Sequence, residues 1–240
     1  MNLVLDIGNT LQKIAVFSND ECMYAQSFPY ITEEIITSVF NQFSIQYAII
    51  SSVAEVDTQV VAFLQINTKL VHYSHQTKVP IAILYKSAET LGLDRIANAV
   101  GAAALFPNRN VLSVQVGTCL VLDFMNQKNE YLGGSISPGL RMRFDMLHEK
   151  TKKLPLIRDY YEHSHFLGKN TQESILCGVI KGMCYEIDGF INDYKSAYQE
   201  LMVLFSGGDA SVLQQFIKNT IFAAPNVVVK GLNEIIKYNV

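Results

Sequence analysis

VLSVQVGTCLVLDF, residues 111–124, reads as a strand, a turn at Gly117 and a second strand, and it repeats the pattern of LVLDIGNTLQKIAVF at residues 3–17. Short β-rich runs flanking a glycine turn are the sequence form of a hairpin. Aligned on Gly8 and Gly117, the two segments set Asp6 against Gln115, a carboxylate against a neutral amide. The repeat predicts two lobes in the 240 residues, 1–108 and 109–240, each opened by its own hairpin.

Outward from the first hairpin, strands and helices alternate, which predicts an α/β lobe. Helical patterns cover about 32–43 and 56–66, and strands cover YAIISSV (47–53) and KLVHYS (69–74). The Ala-rich AETLGLDRIANAVGAAALF (88–106) is helical after Asp94. Beyond the second hairpin, residues 171–194 carry Ile175, Val179, Ile187, Phe190 and Ile191 at helical spacing, the longest helix of the chain. LMVLFSGGDASVLQQFI (201–217) reads as strand, Gly-Gly turn and helix, and NVVVKGLNEIIKY (226–238) as a last strand and helix.

A hydrophobic fraction of 49% gives enough apolar material for a sizeable core, and a net charge of −3 gives no general attraction to nucleic acid or anionic membrane. No apolar run approaches a membrane helix, and Asp6 interrupts the first one with no basic segment before it, so a cytoplasmic location is expected. Cys22, Cys119, Cys177 and Cys184 form no CxxC pair and predict reduced thiols, with Cys177 and Cys184 packing in the apolar face of the long helix.

Asp-x-Gly-x-Thr at the end of a first strand puts a carboxylate beside a tight turn whose amides can approach phosphate. Asn9 and Thr10 add side-chain donors, and Asp6 suits the hydration shell of a magnesium ion. An ordinary hairpin turn explains the same five residues. The second copy and the SGGDA turn (206–210) favour phosphate loops, and with them the duplicated ribonuclease-H-like lobes of the sugar kinase, actin and Hsp70 superfamily. Between the loops, YKSAETLGLDRIANAV (85–100) sets Asp94 and Arg95 after Gly92 at a helix start, joining a base to a cation that can orient an anion. A helix cap and a surface salt bridge are the alternative for this pair.

Taken with VGTCLVLDF (116–124), YLGGSISPGLRMRFDMLHEKTKKLP (131–155) and GKNTQESILCGVIKGM (168–183), these blocks resemble, in order and across nearly the whole chain, the type III pantothenate kinases. The resemblance implies an actin-like ATPase with ATP in the cleft between its two lobes, transferring the γ-phosphate to pantothenate in the first step of coenzyme A biosynthesis. It implies Asp94 as the general base. Asp6, Ile7, Gly8, Asn9, Thr10, Leu11, Gln12 and Lys13 would form the first ATP-phosphate loop, with Asp6 on Mg2+, and Thr118 would belong to the second. Tyr85, Gly92, Leu93 and Arg95 would line the pantothenate pocket with Asp94, and Thr171 would reach pantothenate across the interface of a homodimer.

The family's second loop carries an aspartate associated with a monovalent cation, K+ or NH4+, where this chain has Gln115. An amide keeps a carbonyl oxygen for a hard cation but loses the charge that offsets its desolvation. An altered cation requirement, a cation held by other groups such as Asp123, and lost activity all remain open. A non-catalytic paralogue and a kinase of another small alcohol are the rival functions. Elsewhere, GGSISPG (133–139) reads as a loop that lets backbone approach ligand, or as a plain connecting turn. Arg141, Arg143, His148, Lys150, Lys152 and Lys153 read as a solvated helical face or an ATP-facing patch. His163 and His165, with His148, lack the spacing of a zinc site.

Overall fold

The computed structural model describes residues 1–160 and 166–240, so His163 and His165 lie outside the described residues. The described chain forms two compact units, one of residues 1–107, 128–132 and 226–240, the other of residues 108–127 and 133–225.

The first unit holds β1 (Asn2–Ile7), β2 (Gln12–Ser18), β3 (Glu21–Phe28), α1 (Glu33–Gln42), β4 (Tyr47–Ser52), α2 (Thr58–Asn67), β5 (Lys69–His72), β6 (Ala82–Ile83) and α3 (Leu93–Leu105). Its sheet runs β3-β2-β1-β4-β5, with β1, β2 and β3 antiparallel and β4 and β5 parallel to β1. Leu3, Leu5 and Ile7 alternate into one core with Ile14, Val16, Ile36, Val39 and Leu64, as period two along a half-covered strand requires. Thr32 and Asp57 cap α1 and α2 through side-chain oxygens, which releases the otherwise unpaired first amides of each helix from solvent.

The second unit restates this plan. It carries β7 (Val111–Val116), β8 (Cys119–Met125), most of β9 (Glu130–Pro138), α4 (Leu140–Glu149), α5 (Thr171–Ala197), β10 (Met202–Ser206), α6 (Ala210–Leu213) and β11 (Phe222–Ala223). The strand order β11-β10-β7-β8-β9 is the first sheet read from its other edge, with β7 and β8 antiparallel and β10 and β11 parallel to β7. Leu112, Val114, Leu122 and Phe124 pack with Ile180, Met183, Ile187 and Ile191 of α5. Cys184 is buried in that face and its thiol is pushed up to about 11 by burial, whereas Cys177 sits at the margin and donates to the Phe166 carbonyl at 2.8 Å. All four thiols are free.

Two expectations give way here. NVVV is not a strand: Asn226 is the N-cap and the valines open helix α7 (Val227–Asn239), which packs on α3 within the first unit. Valine costs a helix about 0.5 kcal/mol by propensity. Burial of Val227 and Val229 contributes about 1.5 kcal/mol or more each, so packing decides. The contact is made by glycines: a Cβ on Gly231 would lie 1.8 Å from the Ala97 carbonyl oxygen, and one on Gly101 2.0 Å from that of Val227. GGSISPG is likewise strand, not loop, as far as Pro138. Gly134 is there because a Cβ would sit 1.7 Å from the Leu122 carbonyl oxygen, a close backbone approach inside the sheet.

Candidate active site

In the first unit Asp6 lies near the end of β1, opposite Lys13 on β2 and Ser51 on β4. The turn between the strands is closed by the Gly8 amide donating to the Leu11 carbonyl at 3.2 Å, and it leaves Asn9, Thr10 and Leu11 exposed. Two members of the predicted loop point their side chains elsewhere. Ile7 is buried in the core, and Gln12 turns inward to accept from the Ile31 amide at 2.7 Å. Only their backbone is left for a phosphate. Lys13 donates to Asn226 at 3.3 Å; Asn226 holds the N-cap position of α7 but spends its side chain on Lys13 and not on the helix.

Asp94 is the second residue of α3, whose N-cap is Gly92 and which has no side-chain cap. The cap reading of Asp94 therefore fails. Its carboxylate folds back over Gly92, where a Cβ would come within 2.5 Å of Oδ1. Asp6 and Asp94 are close enough to interact: burial, and after it the Asp94 charge, raise the Asp6 carboxyl to about 6 against the opposing pull of Lys13. Arg95 is 8% exposed, so it is no surface cation. Its guanidinium carbon lies 5.8 Å from the ring centre of Tyr85 and 5.9 Å from that of Tyr131, within cation–π range.

Tyr131 is the residue that sequence reasoning missed. It is fully buried and reaches Tyr85 through the pairing of β6 with the first residues of β9, where the Leu84 amide donates to the Tyr131 carbonyl at 2.9 Å. Nothing local marks it. Its only signal was its place in the block at 131–155.

In the second unit three glycines close backbone around the turn after β7. The Gly139 amide donates to the Thr118 carbonyl at 3.1 Å, and a Cβ on Gly139 would lie 2.1 Å from the Gly117 carbonyl oxygen. Gly207, at φ +105°, passes the Val116 carbonyl so closely that a Cβ would sit at 2.2 Å, while the Asp209 amide donates to that same carbonyl. The SGGDA turn thus packs against the turn that follows β7. Gln115 lies opposite Ser206 on β10, and Asp6 lies opposite Ser51 on β4, so each copy sets its key side chain beside a buried serine. Among the described residues the Ser206 hydroxyl has no hydrogen-bond partner.

Thr171, exposed, opens α5, whose first turn is fixed by the Asn170–Glu173 pair of reciprocal bonds. Arg143 is not a solvated cation: it is half-buried and ion-paired to Glu186 at 2.5 Å. His148 donates from Nδ1 to the Leu154 carbonyl at 2.8 Å, and no group of three metal-ligating side chains occurs among the described residues.

The sequence profile of a family described as type III pantothenate kinase matches residues 2–193. The chain belongs to the type III pantothenate kinase family. Proteins named type III pantothenate kinase from Cytophaga hutchinsonii and Flavobacterium johnsoniae are 39% and 37% identical to it, each over all of this chain and 99% or more of their own length. Of solved structures, a conserved Campylobacter jejuni protein assigned to the Baf family of transcriptional activators superposes with a TM-score of 0.61 at 21% identity, covering 99% of this chain and 98% of that one. At that identity it speaks to fold alone. A Porphyromonas gingivalis protein described as a putative N-acetylglucosamine kinase superposes with a TM-score of 0.50 at 12% identity, covering 100% of this chain and 99% of that one, and it too speaks only to the fold, mixed α/β with two sheets.

Proposed function

We propose that this chain is an ATP-dependent pantothenate kinase that converts pantothenate to 4'-phosphopantothenate at the head of coenzyme A biosynthesis. Family membership over the full length of its relatives is the observation that carries the reading. The geometry supports the following roles. Asp94 accepts the proton of the primary hydroxyl as that oxygen bonds to the γ-phosphorus and the bond to ADP breaks. Phosphoryl transfer asks chiefly for positioning and neutralised charge, and a half-buried carboxylate at the start of a helix, with Arg95 held by two tyrosines, answers the first need. Gly92, Leu93 and Tyr85 shape the pantothenate side of the site, and Thr171 of a second subunit completes it in a homodimer.

The loop from Asp6 to Lys13 and the Gly117–Thr118 turn cradle the nucleotide through backbone amides, Asn9, Thr10 and Thr118. Asp6 fits magnesium, since that ion keeps most of its waters and needs only one or two carboxylates beside the substrate phosphates. Bound there, magnesium would supply neutralisation of the charge that develops on the phosphate. At the second loop Gln115 offers an amide oxygen and Ser206 a buried, unpartnered hydroxyl, neutral oxygens that suit a weakly held monovalent cation. Among the described residues no helix is long and apolar enough to cross a membrane, which accords with work in the cytoplasm. A non-catalytic role is favoured by Gln115 alone, while Asp6, Tyr85, Asp94, Arg95 and Thr171 are all retained.

ADP release measured with pantothenate and a panel of other alcohols, in sodium, potassium and ammonium buffers, tests the assignment. Turnover dependent on pantothenate is expected, with weak potassium activation that strengthens in Gln115→Asp. Preference for another alcohol, or none at all, would overturn it.

A further inference from the structure

We propose that Tyr73 and His75 are positioning residues for the proposed base, clamping the turn at residues 91–93 from which Asp94 projects. The inference rests on Asp94 being that base. Tyr73 donates its hydroxyl to the Leu93 carbonyl at 2.8 Å, and Nε2 of His75 lies 2.8 Å from the Leu91 carbonyl. A carbonyl only accepts, so His75 carries its proton on Nε2. Between these two, the Gly92 carbonyl takes the amides of Arg95 and Ile96, each at 3.1 Å. All three carbonyls of the turn are therefore engaged, two of them by one outside segment.

That segment is itself stiff. The Thr77 hydroxyl donates to the His72 carbonyl at 3.0 Å and accepts from the Ser74 amide at 2.9 Å. The Thr77 amide returns to the Ser74 carbonyl at 3.0 Å, and the Gln76 amide donates to the Ser74 hydroxyl at 3.2 Å. Asn239 of α7 holds the next residue by donating to the Lys78 carbonyl at 2.9 Å. Burial, with the Asp94 charge adding to it, pushes the Tyr73 phenol up, so it remains a protonated donor at any working pH.

The clamp matters because α3 has no capping side chain to fix its first turn. The Asp94 carboxylate is also seated tightly over Gly92, so a small shift of residues 91–93 moves Oδ1 with it. Displacing a reacting group by about 1 Å can cost on the order of 100-fold in rate.

The test compares Tyr73→Phe, His75→Ala and His75→Gln with the natural chain, by steady-state kinetics with pantothenate and MgATP, thermal midpoints, and hydrogen exchange of the amides at 91–97. Loss of either donor should speed exchange there and lower kcat about tenfold, with KM for pantothenate changed by no more than about twofold. His75→Gln, whose side-chain amide can donate from a similar place, should recover most of kcat. A structural role alone would lower the midpoint and leave kcat of the folded protein intact; that result, or exchange unchanged in both donor-deleted variants, would overturn the proposal. Should the natural chain not turn over pantothenate while exchange quickens in the variants, the substrate reading falls and the clamp on the turn holds.

Discussion

Asp6 shows most plainly what the site costs the fold. Its carboxyl, ordinarily near 3.8, is raised to about 6, first by burial and then by Asp94. The folded chain therefore holds a proton that the unfolded chain has released between about pH 4 and pH 6, and stability falls as pH rises through that window. Asp6→Asn should remove this loss: its thermal midpoint should exceed that of the natural chain by a few degrees above pH 6 and not at pH 4, while turnover drops. A midpoint difference of the same size at both pH values would contradict the cause given. Gly92→Ala tests the seat of Asp94 directly. A methyl 2.5 Å from Oδ1 must drive the carboxylate aside, so kcat should fall about tenfold or more with ATP affinity little altered, read by titration calorimetry. At this scale the proposed roles of Asp94 and Arg95 rest on one contiguous motif that the sequence displays by itself. Tyr131 was not readable, because only the pairing of β6 with β9 brings it to Tyr85 and Arg95.

Among the elements, α3 and α7 carry the clearest dependence on packing. Their backbones meet at Gly101 and Gly231, and no flexible side chain there can yield to an added methyl. Gly231→Ala should cost about 2 to 3 kcal/mol of stability in chemical denaturation, whereas Gly182→Ala on α5, where a Cβ meets nothing within 4 Å, should be neutral or slightly stabilising. Equal effects would contradict the close-contact account. The same contact explains a misreading. Three consecutive valines look like strand, yet their burial against a neighbouring helix outweighs local preference. Conversely, the glycines at 133–139 looked like loop because glycine signals flexibility and close approach alike, and at Gly134 it is the approach that counts. Strands and helices with strong periodicity, such as β1, β2 and α5, lie close to where alternation and helical spacing placed them.

At the scale of the molecule, the echo between two hairpins was the legible feature, and the strand orders of the two sheets bear it out as a repeat of topology. The repeat extends to a detail invisible in sequence: Asp6 and Gln115 each face a buried serine on the parallel neighbour strand. The proposed partner subunit rests on the family resemblance and not on residue chemistry, since exposed Thr171 at the start of α5 looks like any helix N-terminus. The proposed shared site makes a definite demand. Inactive Asp94→Asn and Thr171→Arg proteins, mixed and allowed to exchange subunits, should regain turnover, because a mixed dimer holds one site with both residues intact. No recovery in dimers shown to have exchanged would refute sharing.

The central claim, that this fold presents Asp94 as the base for pantothenate phosphorylation, is tested most directly by turnover of Asp94→Asn beside its ATP affinity. Loss of pantothenate-dependent ADP release with ATP binding largely kept is the predicted result; near-normal turnover in a folded Asp94→Asn protein would contradict it.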